Sequence, residues 1–216
     1  VDPATLTPNA FVDSDHPSVV AWAHQVAGGL APRDAAVALT HHVRERLRYT
    51  PWNLHMEPEA WRASAVLARP FEVGGHCIDK ATLLAAGARV LGIPSRLHFA
   101  NVRNHVGTAR LEERLGTDLL VYHGYTELWL GGRWVAATPA FNAALCERLG
   151  VAPLDFDGVH DSVFQQDNRE GGRFMEYITD HGVNTTLPWD AMFAAWRAHY
   201  RLFREMGVWP KPGVDA

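Results

Sequence analysis

From Cys77 onward the apolar positions Cys77, Ala81, Leu84, Ala88 and Leu91 recur at steps of four, three, four and three, the spacing of one buried face of an α-helix. Gly92 follows as a residue able to take a positive φ, and Pro94 forbids continuation, so the pattern predicts a helix that starts at or beside Cys77 and stops before Gly92. Three other helical patterns precede it. Pro17 to Ala27 carries Val19, Val20, Ala23 and Val26 on one side and ends at Gly28-Gly29. Pro32 to about Tyr49 buries Ala36, Leu39, Val43 and Leu47 and turns Arg44, Glu45, Arg46 and Arg48 to water. Glu59 to Ala68 returns to helix just ahead of Gly74-Gly75-His76-Cys77.

Beyond Pro94 the pattern shortens to alternation. Arg96 to Val102 sets Leu97, Phe99 and Asn101 against Arg96, His98 and Ala100, a half-buried strand. Leu119 to Leu130 is the longest strand signal, and Gly131-Gly132 is a two-residue hairpin turn into Arg133 to Ala137. If Leu130 faces Arg133 across that turn, Thr138 falls opposite Tyr125, on the side of the strand that also holds His123, because side chains alternate. Phe141 to Leu149 reads as a short helix with Asn142 near its start and Cys146 as a core thiol. Arg173 to Thr179 reads as another strand. Pro188 to Met206 reads as one amphipathic helix whose Phe193, Trp196, Tyr200 and Phe203 suit a core or a dimer contact. Residues 1–16, rich in Pro, Asp and Thr, read as an extended arm or irregular lead-in. Together these elements predict an α+β fold in one domain, 1–216.

Composition narrows the classes. The 216 residues are 47% hydrophobic, enough for a sizeable core, and a net charge of -4 with no long Lys/Arg run excludes a surface dominated by a nucleic-acid groove. No stretch approaches the roughly 18 apolar residues of a membrane span, so no membrane partner is expected. The first ten residues lack the basic and apolar regions of a signal peptide, although a chain opening on Val leaves a removed leader open. Two cysteines without C-x-x-C spacing fit a reducing, cytoplasmic compartment and supply no zinc ligand set. His41 and His42, being adjacent, do not share a helix face as ligands. The segment Leu154-Asp-Phe-Asp-Gly-Val lacks the acidic spacing and final Glu of a calcium loop. Neither a metal nor a cofactor is expected, and nothing in the pattern fixes an oligomeric state.

The position of Cys77 changes the picture. The first turn of a helix leaves backbone N–H groups unpaired and carries about half a positive charge. A Cys pKa there is expected to fall from about 8.5 to about 3.5 to 7.5, and the same N–H groups suit an oxyanion. A free Cys is also, more often, a small buried hydrophobe.

The run G-x-C-x-x-K-A-x-L-x-x-A-x-x-R-x-L-G-I-P-S-R, followed by H-G-Y-T-E-L-W-L-G-G-R-W-V-A-A-T-P-A-F, resembles the core of the transglutaminase-like superfamily of papain-type cysteine enzymes, over about residues 61 to 142. The resemblance implies a Cys-bearing helix packed on an antiparallel sheet that carries the His, with Cys77 as nucleophile and His123 as its base. Family members usually carry Asp in a W-x-x-x-D-P pattern to orient the imidazole, where this chain reads Trp134-Val-Ala-Ala-Thr138-Pro139. Thr138 is the expected orienter, since a hydroxyl accepts from an imidazole N–H but does not stabilise imidazolium as a carboxylate does. Asp118, Asn142 and water are the alternatives. By the same resemblance Glu127 supports the sheet, and the segment before the Cys supplies an indole near the oxyanion, which makes Trp52 a candidate beside its ordinary packing role. His76 is a further candidate at the oxyanion. Arg96, Arg103, Asn104 and His105 are either holders of an anionic small substrate or ordinary surface residues.

The expected activity is cysteine-dependent acyl chemistry through a thioester, hydrolysing an amide, peptide or other acyl bond or transferring the acyl group to an amine. Two alternatives stand beside it. One is a catalytically inactive binding or scaffold protein on the same fold, and the other is thiol-dependent cleavage of a small metabolite, including carbon–carbon acyl cleavage.

Overall fold

The computed structural model describes residues 1–52, 54–105, 109–164 and 175–205. Helices α1 (Pro17–Ala27), α2 (Pro32–Arg46), α3 (Ala63–Ala68) and α4 (Cys77–Val90) come first. Strand β1 (Ser95–Asn104), helix α5 (Ala109–Leu115), strands β2 (Leu119–Leu130) and β3 (Arg133–Ala137), helix α6 (Ala143–Leu149), strand β4 (Met175–Asn184) and helices α7 (Trp189–His199) and α8 (Arg201–Glu205) follow. The sheet is antiparallel in the order β3-β2-β1-β4, giving the expected α+β fold. Among the described residues no helix is long and apolar enough to cross a membrane.

Helix α4 starts at Cys77 and packs against β1 and β2 as well as α1, α2 and α3. Its end is as predicted: Gly92 has φ 72°, and the Ile93 N–H reaches back to the Ala88 carbonyl at 2.9 Å. Its burial is not confined to one face. Ile78, Asp79, Lys80, Thr82 and Arg89 are enclosed along with Ala81, Leu84 and Ala88, whereas Cys77 is only partly buried. A helix surrounded on all sides has no solvent face, so its polar groups must find partners inside the protein. Lys80 donates to the carbonyls of Arg44 (2.9 Å) and Ala140 (2.8 Å). Arg89 donates to those of Thr7 (2.6 Å), Ser95 (3.1 Å) and Thr185 (2.6 Å). These bonds dock the N-terminal segment, which forms a 3₁₀ turn at Pro3–Thr5 and buries Phe11 and Val12.

Other boundaries differ from expectation. Glu59 to Ala68 divides into a 3₁₀ turn (Pro58–Trp61) and α3, with Arg62 extended between them. The strand expected at Arg173 to Thr179 runs on to Asn184; residues 173 and 174 lie outside the described residues. The helix expected from Pro188 breaks at Tyr200, whose backbone is extended (φ -96°, ψ 122°); Met206 lies outside the described residues. The aromatic stripe Phe193, Trp196, Tyr200 and Phe203 is buried core, packed with Trp61 and Trp189.

The hairpin register is the predicted one, from Leu130↔Arg133 to Thr126↔Ala137. It ends there, because the chain is drawn aside: the Thr138 N–H donates to the Ser162 carbonyl (2.9 Å) and the Ser162 N–H to that of Ala136 (2.8 Å). Thr138 therefore does not join the ladder opposite Tyr125. Between β1 and β2 the register slips, so that Val121 and Tyr122 face the single residue Asn101. This bulge carries Tyr122 at φ 57°, the one positive φ among the described non-glycine residues.

Candidate active site

The turn into α4 is held before Cys77 is reached. Tyr49 pairs with Gly75 in a parallel bridge, with the Gly75 N–H on the Arg48 carbonyl and the Thr50 N–H on the Gly75 carbonyl, both at 3.0 Å. Gly74 has φ 69°, and a Cβ there would lie 2.2 Å from the Arg48 oxygen, so only glycine fits. His76 is the N-cap: its Nδ1 accepts from the N–H groups of Ile78 (3.2 Å) and Asp79 (3.3 Å), while Asp79 Oδ2 accepts from the His76 N–H (3.0 Å). That is a capping box with imidazole in place of hydroxyl. Arg69 Nη1 donates to Asp79 Oδ2 at 2.8 Å, and Trp61 packs on the His76 ring at 4.6 Å. Burial pushes His76 down to about 4 against the pull of Asp79, which keeps Nδ1 free of a proton and able to cap. His76, an oxyanion candidate by sequence, thus lines the cleft while one ring nitrogen serves the helix.

Cys77 and His123 line one cleft, with about 50 Å³ of enclosed space. Thr126, whose hydroxyl donates to the Ala81 carbonyl at 2.8 Å, and Gly124 face α4 from β2. Gly124 permits the close approach, since a Cβ on it would stand 3.1 Å from Ile78 Cγ1 and 3.2 Å from Phe99 Cε1. Because pairing with β3 stops at Thr126, Gly124 faces the start of α4 instead, and the backbone N–H groups of Gly124, Ile78 and Cys77 act to favour the Cys77 thiolate. The sulfur therefore sits at the edge of β2, one residue from His123.

His123 is 1% exposed, with its ring 4.6 Å from Phe164 and 6.3 Å from Tyr125. Neither ring nitrogen has a hydrogen-bond partner among the described residues, and neither has the hydroxyl of Thr138, itself 2% exposed. The expected Thr138–His123 bond is absent from this geometry. The alternatives are engaged elsewhere: Asp118 pairs with Arg103 (3.1 Å), and Asn142 Oδ1 accepts from the Tyr49 N–H (3.2 Å). Burial pushes His123 down to about 3 and Cys77 up to about 11, the latter against the opposing effect of nearby backbone N–H groups. The depressed thiol expected from the helix terminus is thus reversed, because desolvation of the thiolate outweighs the helix N–H groups. The resting pair is thiol and neutral imidazole.

What places His123 is the bulge just before it. The Val121 N–H donates to the Tyr200 hydroxyl (2.6 Å), and Trp196 Nε1 donates to the Val121 carbonyl (2.7 Å). The Tyr122 N–H donates to Asn101 Oδ1 (3.1 Å), which lies 2.8 Å from His181 Nε2, and His181 stacks on the Tyr122 ring at 4.2 Å. Side chains from β1, β4, α7 and Tyr200 replace the ladder bonds that the bulge gives up. Sequence reasoning missed this cluster. Its one trace was Asn101, a polar residue on the apolar side of the β1 alternation.

The remaining candidates are not brought to the sulfur. Trp52 is 38% exposed under the Arg114 guanidinium (5.0 Å), and Tyr49, Pro51 and Leu54 of the same loop line the cleft instead. Arg96 lies over Trp134 (4.1 Å) and pairs with Glu127 (2.6 Å), which also meets His98 (2.7 Å), in keeping with Glu127 as a sheet residue. His105 faces Glu176 (3.4 Å), Arg103 lies between Asp118 and Glu176, and the Asn104 N–H donates to the Asp118 carbonyl (3.1 Å). No group of His, Cys, Asp and Glu among the described residues is arranged to hold a metal ion.

Comparison with curated proteins finds no match. Among solved structures, a candidate cysteine protease from Cytophaga hutchinsonii is similar in fold, with a TM-score of 0.54 at 18% identity over 87% of this chain. The match covers 48% of that protein, so the chain spans about half its length. The family model for the transglutaminase-like superfamily matches residues 20–139, from α1 through the hairpin that follows the bulge, and includes both Cys77 and His123. With that match over more than half its length, and the Cys-helix seated on the His-strand, this chain belongs to the transglutaminase-like superfamily.

Proposed function

We propose that the protein carries out cysteine-dependent acyl chemistry, with Cys77 as nucleophile and His123 as its base. The observation that carries this is that Cys77, at the capped start of α4, and His123 of β2 line one cleft. The neutral imidazole takes the thiol proton as the sulfur attacks the substrate carbonyl carbon. Of the first-turn N–H groups of α4, those of Ile78 and Asp79 are taken by His76 Nδ1 and that of Lys80 by the His76 carbonyl, so the Cys77 N–H is the donor left for the oxyanion that forms, and the imidazolium returns its proton to the departing amine or alcohol as the carbon–heteroatom bond breaks. The thioester is then resolved by water, which leaves a carboxylic acid and the free thiol, or by an amine, which leaves an amide. With no carboxylate beside it among the described residues, His123 gains no ion pair from them when it is protonated, so a modest turnover is expected.

A second reading, an inactive binding protein, is favoured by the unpartnered imidazole and by Thr138 in the place of the family's Asp. Mass spectrometry after incubation with an activated ester separates the two. The acyl mass is expected on the Cys77 peptide, released by neutral hydroxylamine, absent from Cys77→Ala and slowed in His123→Ala. An adduct formed equally fast in His123→Ala, or only on Cys146, refutes the enzyme.

A further inference from the structure

Among the described residues, none that lines the cleft over Cys77 carries a charged side chain. Leu115, Val121, Trp196 and Tyr200 form its buried part, with Leu54 and Leu120 half-buried at the rim. Of the polar tips of the wall, Tyr200 and Trp196 spend their hydroxyl and indole N–H on Val121 and His76 Nδ1 caps α4, which leaves only the neutral imidazole nitrogens His76 Nε2 and those of His123 without a partner among these. Nearby ions are paired away from the cleft, Arg69 with Asp79 and Arg103 with Asp118, while Arg114 lies over Trp52. A carboxylate or ammonium entering this space would lose its hydration and meet no opposite charge among the described residues, which strongly disfavours it. The enclosed space is small, about 50 Å³, and suits one short acyl chain better than a stretch of peptide.

Resting on the assignment of Cys77 as acyl acceptor, we propose that this cleft binds the acyl portion of an uncharged substrate, a short aliphatic or aromatic amide or ester. Trp196 of α7 and Tyr200, both outside the matched family region, set that preference. The acyl chain lies against Leu54, Leu115 and Trp196, its carbonyl carbon faces the sulfur, and the leaving group points to solvent.

Binding to Cys77→Ala tests this without any chemistry. Hexananilide and adipic acid monoanilide differ chiefly by one terminal carboxylate, and NMR titration reads their affinities. Hexananilide is expected to bind at least 10-fold more tightly, and Leu54→Lys in the same background to shrink that ratio at least threefold by tightening the monoanilide. Equal or tighter binding of the monoanilide, no binding of either anilide, or a ratio unmoved by Leu54→Lys overturns the proposal. Hexananilide preferred as expected, with wild type turning over no acyl substrate, refutes the acyl chemistry while the apolar cleft stands. Turnover in wild type that favours charged acyl groups does the reverse.

Discussion

The protonation state of the Cys77–His123 pair yields the sharpest test. Burial raises the thiol from an ordinary value of 9.0 to about 11. That two-unit rise cuts the thiolate fraction at pH 7 by about 100-fold, while the more basic thiolate is more nucleophilic by about 10-fold, with a Brønsted slope of 0.4–0.5. Alkylation by iodoacetamide is therefore expected to run about 10-fold slower than for an ordinary thiol at pH 7, before any shielding is counted. The shape of the profile is independent of shielding. A thiol with a raised pKa stays protonated until the pH nears 11, so the rate should climb without a plateau from pH 6 to 10. His123, pushed to about 3, is neutral throughout that range and adds no inflection. The assay is the second-order rate of carbamidomethylation of the Cys77 peptide, read by mass spectrometry in wild type and His123→Ala, with Cys146 as an internal comparison. A plateau beginning between pH 4 and 7 that disappears in His123→Ala would refute the reasoning, because it is the signature of a thiolate–imidazolium pair.

Three further outcomes are expected. Thr138→Val should leave turnover unchanged and stability equal or up to about 1 kcal/mol higher in urea unfolding, since it removes a buried hydroxyl that has no partner; a 10-fold loss of rate would show that the hydroxyl does orient His123. Tyr200→Phe leaves the buried Val121 N–H unpaired, costing about 1–3 kcal/mol, and should lower kcat several-fold with little change in KM; a rise in KM alone would mean that Tyr200 serves only as cleft wall. His76, lowered to about 4, binds fewer protons folded than unfolded, so its contribution of roughly 3 kcal/mol is complete above about pH 6.5 and lost as the pH falls toward 4. His76→Asn keeps a cap but does not titrate, so the slope of unfolding free energy against pH between 4.5 and 6.5 should drop by about one proton; an unchanged slope would count against a neutral His76 cap.

Features that rest on a few neighbouring residues were legible in the chain itself. The four-three spacing from Cys77, the stop at Gly92 and the Leu130↔Arg133 register depend on backbone geometry within one element or one turn, and each is present. So is the pairing of a Cys-helix with a His-strand, which the motif order carried. What the tertiary structure decided depends on residues far apart in sequence. Thr138 leaves the ladder because Ser162 draws the chain aside. The bulge before His123 exists because Asn101, Trp196 and Tyr200 supply the hydrogen bonds that the strands omit there. Tyr49 rather than Trp52 lines the cleft because the bridge to Gly75 fixes where that loop turns. The direction of the Cys77 shift was the least legible property. A helix N-terminus is written in local sequence, but desolvation is a sum over everything packed around the sulfur, and at Cys77 that sum is the larger effect.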